Sequence, residues 1–137
     1  MAKLKLDSDL LPEVSIFAIS SHVNDYRLCW ALNNSMGINM ARRRYEPGFP
    51  NEDPGLRPTA FDHFDEVSQA TISLLSNHSP QGLLVPEQRN ADYFLLVDHA
   101  CPWAPYEALD LVRRADFVLM AYPLEIVNLK DGYKLLQ

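Results

Sequence analysis

The sequence predicts an α+β fold: a largely antiparallel sheet of about five to six strands with two helices on one face, in the order β-α-β-β-β-β-α-β. Helical signals occur in two places only, at 20–36 and 105–114. Between them strand-like runs follow one another with no intervening helix, which favours antiparallel pairing over parallel crossovers. The apolar runs VSIFAI (14–19), DYFLLV (92–97) and FVLMAY (117–122) have the length and composition of buried strands. The order is compatible with a ferredoxin-like arrangement carrying extra strands.

Taken in order, Lys3 to Asp7 alternates polar and apolar residues and reads as a short edge strand. Val14 to Ile19 is a buried strand. Ser20-Ser21 offers an N-cap oxygen for a helix that runs to Met36, with Gly37 as its C-cap. On that helix Val23, Tyr26, Leu28, Cys29, Trp30, Leu32 and Met36 fill a broad apolar arc, with Asn24, Arg27 and Asn34 opposite. Asp25 and Asn33 fall inside the arc, against the pattern.

Ile38 to Tyr45 reads as a strand that ends basic. In Arg42-Arg43-Arg44 neighbouring arginines point to opposite faces of a strand, so the run suits a guarded sheet margin better than a phosphate site. Residues 46–59 hold four prolines and two glycines and form a loop. Ala60 to Val67 and Gln69 to Ser76 are further strands, Asn77 to Gly82 a turn, and Asp92 to Val97 a central strand. Pro105 at a first turn, with Glu107 behind it, starts the second helix. Phe117 to Tyr122 is another buried strand, and Asp131-Gly132 marks a hairpin.

A chain of 137 residues fits one domain, here 1–137 with the Pro-rich loop as an insertion. Its hydrophobic share of 47% argues against disorder. Twelve basic against 18 acidic side chains give a net charge of −6, so no nucleic-acid partner is expected, because phosphate contacts call for a basic excess. The N-terminal residues lack a signal-peptide pattern and no stretch approaches a membrane span, which makes the cytoplasm the expected location. Cys29 and Cys101 have the arithmetic for one disulfide and no secretory context for it.

Residues 85–93 read V-P-E-Q-R-N-A-D-Y. They resemble the motif of the IPExxxVDY family of small Bacteroidetes proteins. Pro86, Glu87, Asp92 and Tyr93 match outright, and Val85 and Ala91 substitute apolar for apolar. The segment 20–33, with its D-Y-R-L core, resembles that family's helix, and Ser76-Asn77 resembles its strand end. The Pro-rich segment is a departure. The resemblance implies a bacterial cytoplasmic setting, supports the fold, and implies no mechanism.

The candidate polar cluster is Asp25, Arg27, Glu87, Asp92 and Tyr93. Glu87 and Asp92 flank a short connection, and paired carboxylates serve acid–base chemistry, cation binding or backbone capping. A planar Arg27 fork pairing with one of them would tie the two motifs together. His22, His63, His78 and His99 are scattered; Asp98-His99-x-Cys101 is the nearest approach to a metal set and lacks the second short-spaced pair of a zinc site. No Gly-rich phosphate loop or nucleophile elbow occurs, so no cofactor is implied and no catalytic residue stands out. The expected function is a non-catalytic regulatory or protein-interaction module, self-associating or bound to a protein partner through an uncovered sheet face or edge. The alternative is a small-ligand binder or enzyme built on Asp25, Arg27, Glu87 and Asp92.

Overall fold

The structure, a computed structural model, describes residues 13–44, 59–79, 82–125 and 135. The expected edge strand at Lys3 to Asp7, nearly all of the Pro-rich loop and the Asp131-Gly132 hairpin lie outside the described residues. In chain order the elements are β1 Val14–Ser20, α1 Asp25–Met36, β2 Ala41–Arg42, β3 Ala60–Asp65, β4 Ala70–Ser76, β5 His78–Ser79, β6 Gly82–Leu83, β7 Tyr93–Asp98, α2 Pro105–Arg114 and β8 Met120–Leu124. Strands β2-β3-β4-β7-β1-β8 form one sheet in that spatial order, and β5 pairs with β6 separately. Every pairing is antiparallel.

Because β1 lies between β7 and β8 and is antiparallel to both, those two run parallel, and α2 makes the crossover between them. The unit β8-β1-β7-β4 with two helices is the ferredoxin-like arrangement, and β3 and β2 extend it at one edge.

Strand alternation divides the core in two. Phe17, Ile19, Ile72, Leu74, Tyr93, Leu95 and Val97 face the helices and pack with Leu28, Leu32, Ala108 and Val112. Ile16, Ala18, Leu75, Phe94 and Leu96 face the other way, beneath Val85, Ala91 and Leu135. The expectation of an uncovered sheet face is corrected in part: β1 and β7 are apolar on both faces and the segment 84–91 supplies a second cover there, whereas on the same side β4 and β3 present Thr71, Ser73, Asp62 and the exposed Phe64.

The edges are also guarded. β2 has only two residues. In β8, Pro123 has no N–H to donate, and the Ala121 carbonyl already accepts from Arg113 Nε at 3.0 Å.

Four local expectations change. The cap of α1 is Asn24, whose side chain accepts from Arg27 N at 3.0 Å; Ser21 is buried and its hydroxyl donates to Phe117 O at 2.7 Å. The strand expected over 38–45 shrinks to Ala41–Arg42, because Asn33 holds both the N–H and the C=O of Met40. The turn expected over 77–82 contains the β5–β6 pairing. Phe117 is not in a strand: it adopts a left-handed φ of 71° in the turn after α2, and Phe117, Leu119 and Met120 are exposed. Gly37 closes α1 at φ 67°, as its position suggests.

Candidate functional site

The motif segment is organised from beneath by Asn77, which is fully buried. Its Nδ2 donates to Gln88 O at 3.0 Å and to Ala91 O at 2.8 Å, and its Oδ1 accepts from Val85 N at 2.8 Å. Its backbone accepts from Leu84 N and donates to Asp92 O. A buried carboxamide with every group satisfied is a strong local template, since an orphaned partner would carry its full desolvation penalty. Val85 and Ala91 are sealed on the sheet, and Pro86, Glu87, Arg89 and Asn90 stand exposed between them.

The members of the sequence-derived cluster do not all converge. Asp92 Oδ2 accepts from Ser21 N at 2.9 Å and Oδ1 lies 3.0 Å from His78 Nε2, so Asp92 ties β1 to the β4–β7 connection. Tyr93 is buried and donates its hydroxyl to Val23 O at 2.9 Å. Burial, reinforced by the charges of Asp25 and Asp92, pushes its phenol up to about 12. Asp25 Oδ1 accepts from the adjacent Tyr26 N–H at 2.8 Å, in the first turn where exposed amides favour an anion.

Arg27 does not pair with the motif carboxylates. Its guanidinium lies over the Phe117 ring at 5.3 Å. The geometric reason is that Asp92 lies beside the end of β1 and is already engaged, whereas Arg27 leaves the solvent side of α1. Glu87 is exposed.

A different surface gathers at α1. Tyr26 and Trp30 are one turn apart and 56% and 58% exposed, which corrects their placement in the buried arc. The buried set is Leu28, Cys29, Ala31, Leu32 and Met36. Arg42 lies over the Tyr26 ring at 5.9 Å and donates to the Tyr26 hydroxyl at 3.0 Å, while the Tyr26 ring meets Phe61 edge-on at 5.3 Å. Two arginine–aromatic stacks, Arg42 on Tyr26 and Arg27 on Phe117, thus flank Trp30 across the start of α1. The i, i+4 aromatic spacing signalled this surface in the sequence; the breadth assigned to the apolar arc concealed it.

Arg43, next to Arg42, turns to the other sheet face, as alternation requires. Its Nε and Nη2 meet both oxygens of Asp62 at 2.7 and 2.8 Å, and Ser73 Oγ donates to the same carboxylate. Burial works against the Asp62 charge, but the bonds from Arg43 and Ser73 outweigh it and hold the carboxyl below the usual range.

Cys29 and Cys101 are buried free thiols. Chiefly through burial, both are pushed up, Cys29 to about 11, which leaves them protonated and unreactive at neutral pH. His99 lies 3.0 Å from Ser15 Oγ, and no group of histidine, cysteine and carboxylate side chains among the described residues could hold a metal ion. No helix among them is long and apolar enough to cross a membrane. No protein family, curated protein or solved structure matches this chain.

Proposed function

We propose that the protein is a non-catalytic interaction module whose contact surface is the exposed start of α1, with Trp30 and the two arginine–aromatic stacks as its anchors. The observation that carries this reading is the composition and order of that surface. Tryptophan, tyrosine and arginine are the side chains that dominate binding hot spots. Here the stacks hold both guanidinium groups in place before a partner arrives, which reduces the ordering cost of association.

The partner that fits is a protein segment carrying carboxylates among apolar side chains. A second copy fits less well, since an isologous contact sets a patch against its own twin and would bring Arg27 and Arg42 of the two copies together. Strand addition fits less well again, given two-residue β2 and the guarded edge of β8. The rival reading, an enzyme or ligand site on Asp25, Arg27, Glu87 and Asp92, meets the divergence of Arg27 from Asp92. Kinship with the IPExxxVDY family and a bacterial cytoplasmic setting belong to the same proposal. They are supported by the motif residues and by two free buried thiols.

The test compares affinity capture from native lysate by the wild type and by the Arg27→Ala/Trp30→Ala double variant, with light scattering of the purified proteins. The expected result is a captured protein with an acidic, apolar segment, weakened by salt and lost from the double variant. Equal capture by both proteins, or a stable dimer indifferent to the double substitution, overturns the reading.

A further inference from the structure

Independently of the α1 surface, a cleft of about 250 Å³ opens where α1 ends, between Ile38, the β3–β4 hairpin and the loop that follows β7. Ile38 and Ile72 form apolar walls and Trp103 supplies an aromatic one, with His63, Asp65 and Cys101 completing the lining. The volume lies below the roughly 300–1,000 Å³ of sites for drug-sized molecules, so it suits a ligand built on a single ring.

The polar groups narrow the chemistry. Asp65 Oδ1 accepts from Val67 N, and Oδ2 accepts from Ser68 N and from the Ser68 hydroxyl at 2.7 Å. Those bonds, the Ser68 hydroxyl first, hold its carboxyl below the usual range and keep a negative charge at the cleft. An anionic ligand is disfavoured there. His63 Nδ1 accepts the Asn39 backbone N–H at 3.3 Å, which places the proton of the neutral ring on Nε2. Nε2 is thus a hydrogen-bond donor that makes no hydrogen bond to protein among the described residues, while the Asp65 charge acts on the same ring. A donor of this kind calls for an acceptor on the ligand, which an ammonium group drawn by Asp65 would leave unmet. The protonated, buried Cys101 thiol adds polarisable surface and no nucleophile.

We propose that this cleft binds a neutral, planar, single-ring aromatic compound carrying a carbonyl acceptor, its ring against Trp103 and its oxygen on His63 Nε2. Trp30 and Trp103 are the chain's two tryptophans, so Trp30→Phe makes Trp103 the sole indole reporter.

The experiment titrates that protein with benzamide, benzoate and benzylammonium, following Trp103 emission and the amide NMR signals of Gly37 and Ile38. Saturable binding of benzamide is expected, with benzoate about tenfold weaker or more; benzylammonium, drawn by Asp65 but lacking an acceptor for His63 Nε2, should be insensitive to His63→Ala. His63→Ala should weaken benzamide about fivefold to tenfold, the worth of one neutral hydrogen bond. NMR shifts elsewhere verify that the variant keeps its fold, and Ile38→Phe, which narrows the cleft without adding an indole, gives a second reading from the opposite wall. Failure of all three probes to saturate, equal affinity for benzoate and benzamide, or benzamide binding indifferent to both substitutions overturns the proposal.

Discussion

Val85 donates its backbone N–H to the Asn77 side-chain oxygen at 2.8 Å, and both residues are sealed from solvent. The same carboxamide holds Gln88 O and Ala91 O, so one side chain fixes both ends of the segment that covers the second sheet face.

Asn77→Ala removes three bonds at once and leaves their backbone partners unsatisfied. The expected cost is roughly 3–5 kcal/mol, read from the urea midpoint. A loss below about 1 kcal/mol would show that 84–91 can repack without its template.

Leu95 lies on central strand β7, facing the helices, and is fully buried. Leu95→Ala should cost about 2–5 kcal/mol. Val67, 95% exposed in the β3–β4 turn, serves as the control, and Val67→Ala should change stability by less than about 0.5 kcal/mol. Similar costs at the two positions would contradict the burial pattern.

The separation of Arg27 from the motif carboxylates is open to a double-mutant cycle. Arg27→Ala and Asp92→Ala should be additive, with coupling near zero, because their partners differ. Arg27→Ala alone should cost about 0.5–1 kcal/mol, the range of an exposed cation–π contact. Coupling above about 1 kcal/mol would restore the ion pair that the sequence suggested.

Asp62 and Cys29 each contribute to one limb of the pH dependence. Asp62 has a lowered carboxyl pKa, so its contribution is complete above the ordinary carboxylate range and fades as pH falls through the folded value, below about 4. Acid titration of Asp62→Asn should show a shallower loss than the wild type. Cys29 has a raised pKa, so the unfolded chain ionises first, and stability falls as pH climbs from 9.0 toward about 11. Cys29→Ala should flatten that alkaline limb; an unchanged limb would assign it to other groups.

The fold was legible because its strands carry their own signals. DYFLLV and VSIFAI announced themselves by composition, and Pro105 with Glu107 marked a helix start that the structure confirms through the Ala104 N to Glu107 Oε1 bond. What failed to show was contact between distant segments. Nothing local in FVLMAY separates a buried strand from a turn and an edge strand, because that depends on which side of β1 remains for it. Asn33 looked out of place on its helix until Met40, seven residues on, came within reach. The polar cluster was half legible: Asp92 and Tyr93 are indeed engaged, but with backbone groups and His78 that have no sequence spacing to reveal them.

The position of β1 has a consequence for synthesis. It is the first described strand, yet its two neighbours in the sheet are β7 and β8, which leave the ribosome after the other described strands. Residues 60–98 can close as a meander of β3, β4 and β7 from pairings near in sequence, while the ladder of β1 waits for most of the chain. The nascent chain thus carries VSIFAI without its native strand partners until β7 emerges. That interval, before β7 and β8 emerge, leaves an apolar strand unpaired, the condition that favours aggregation.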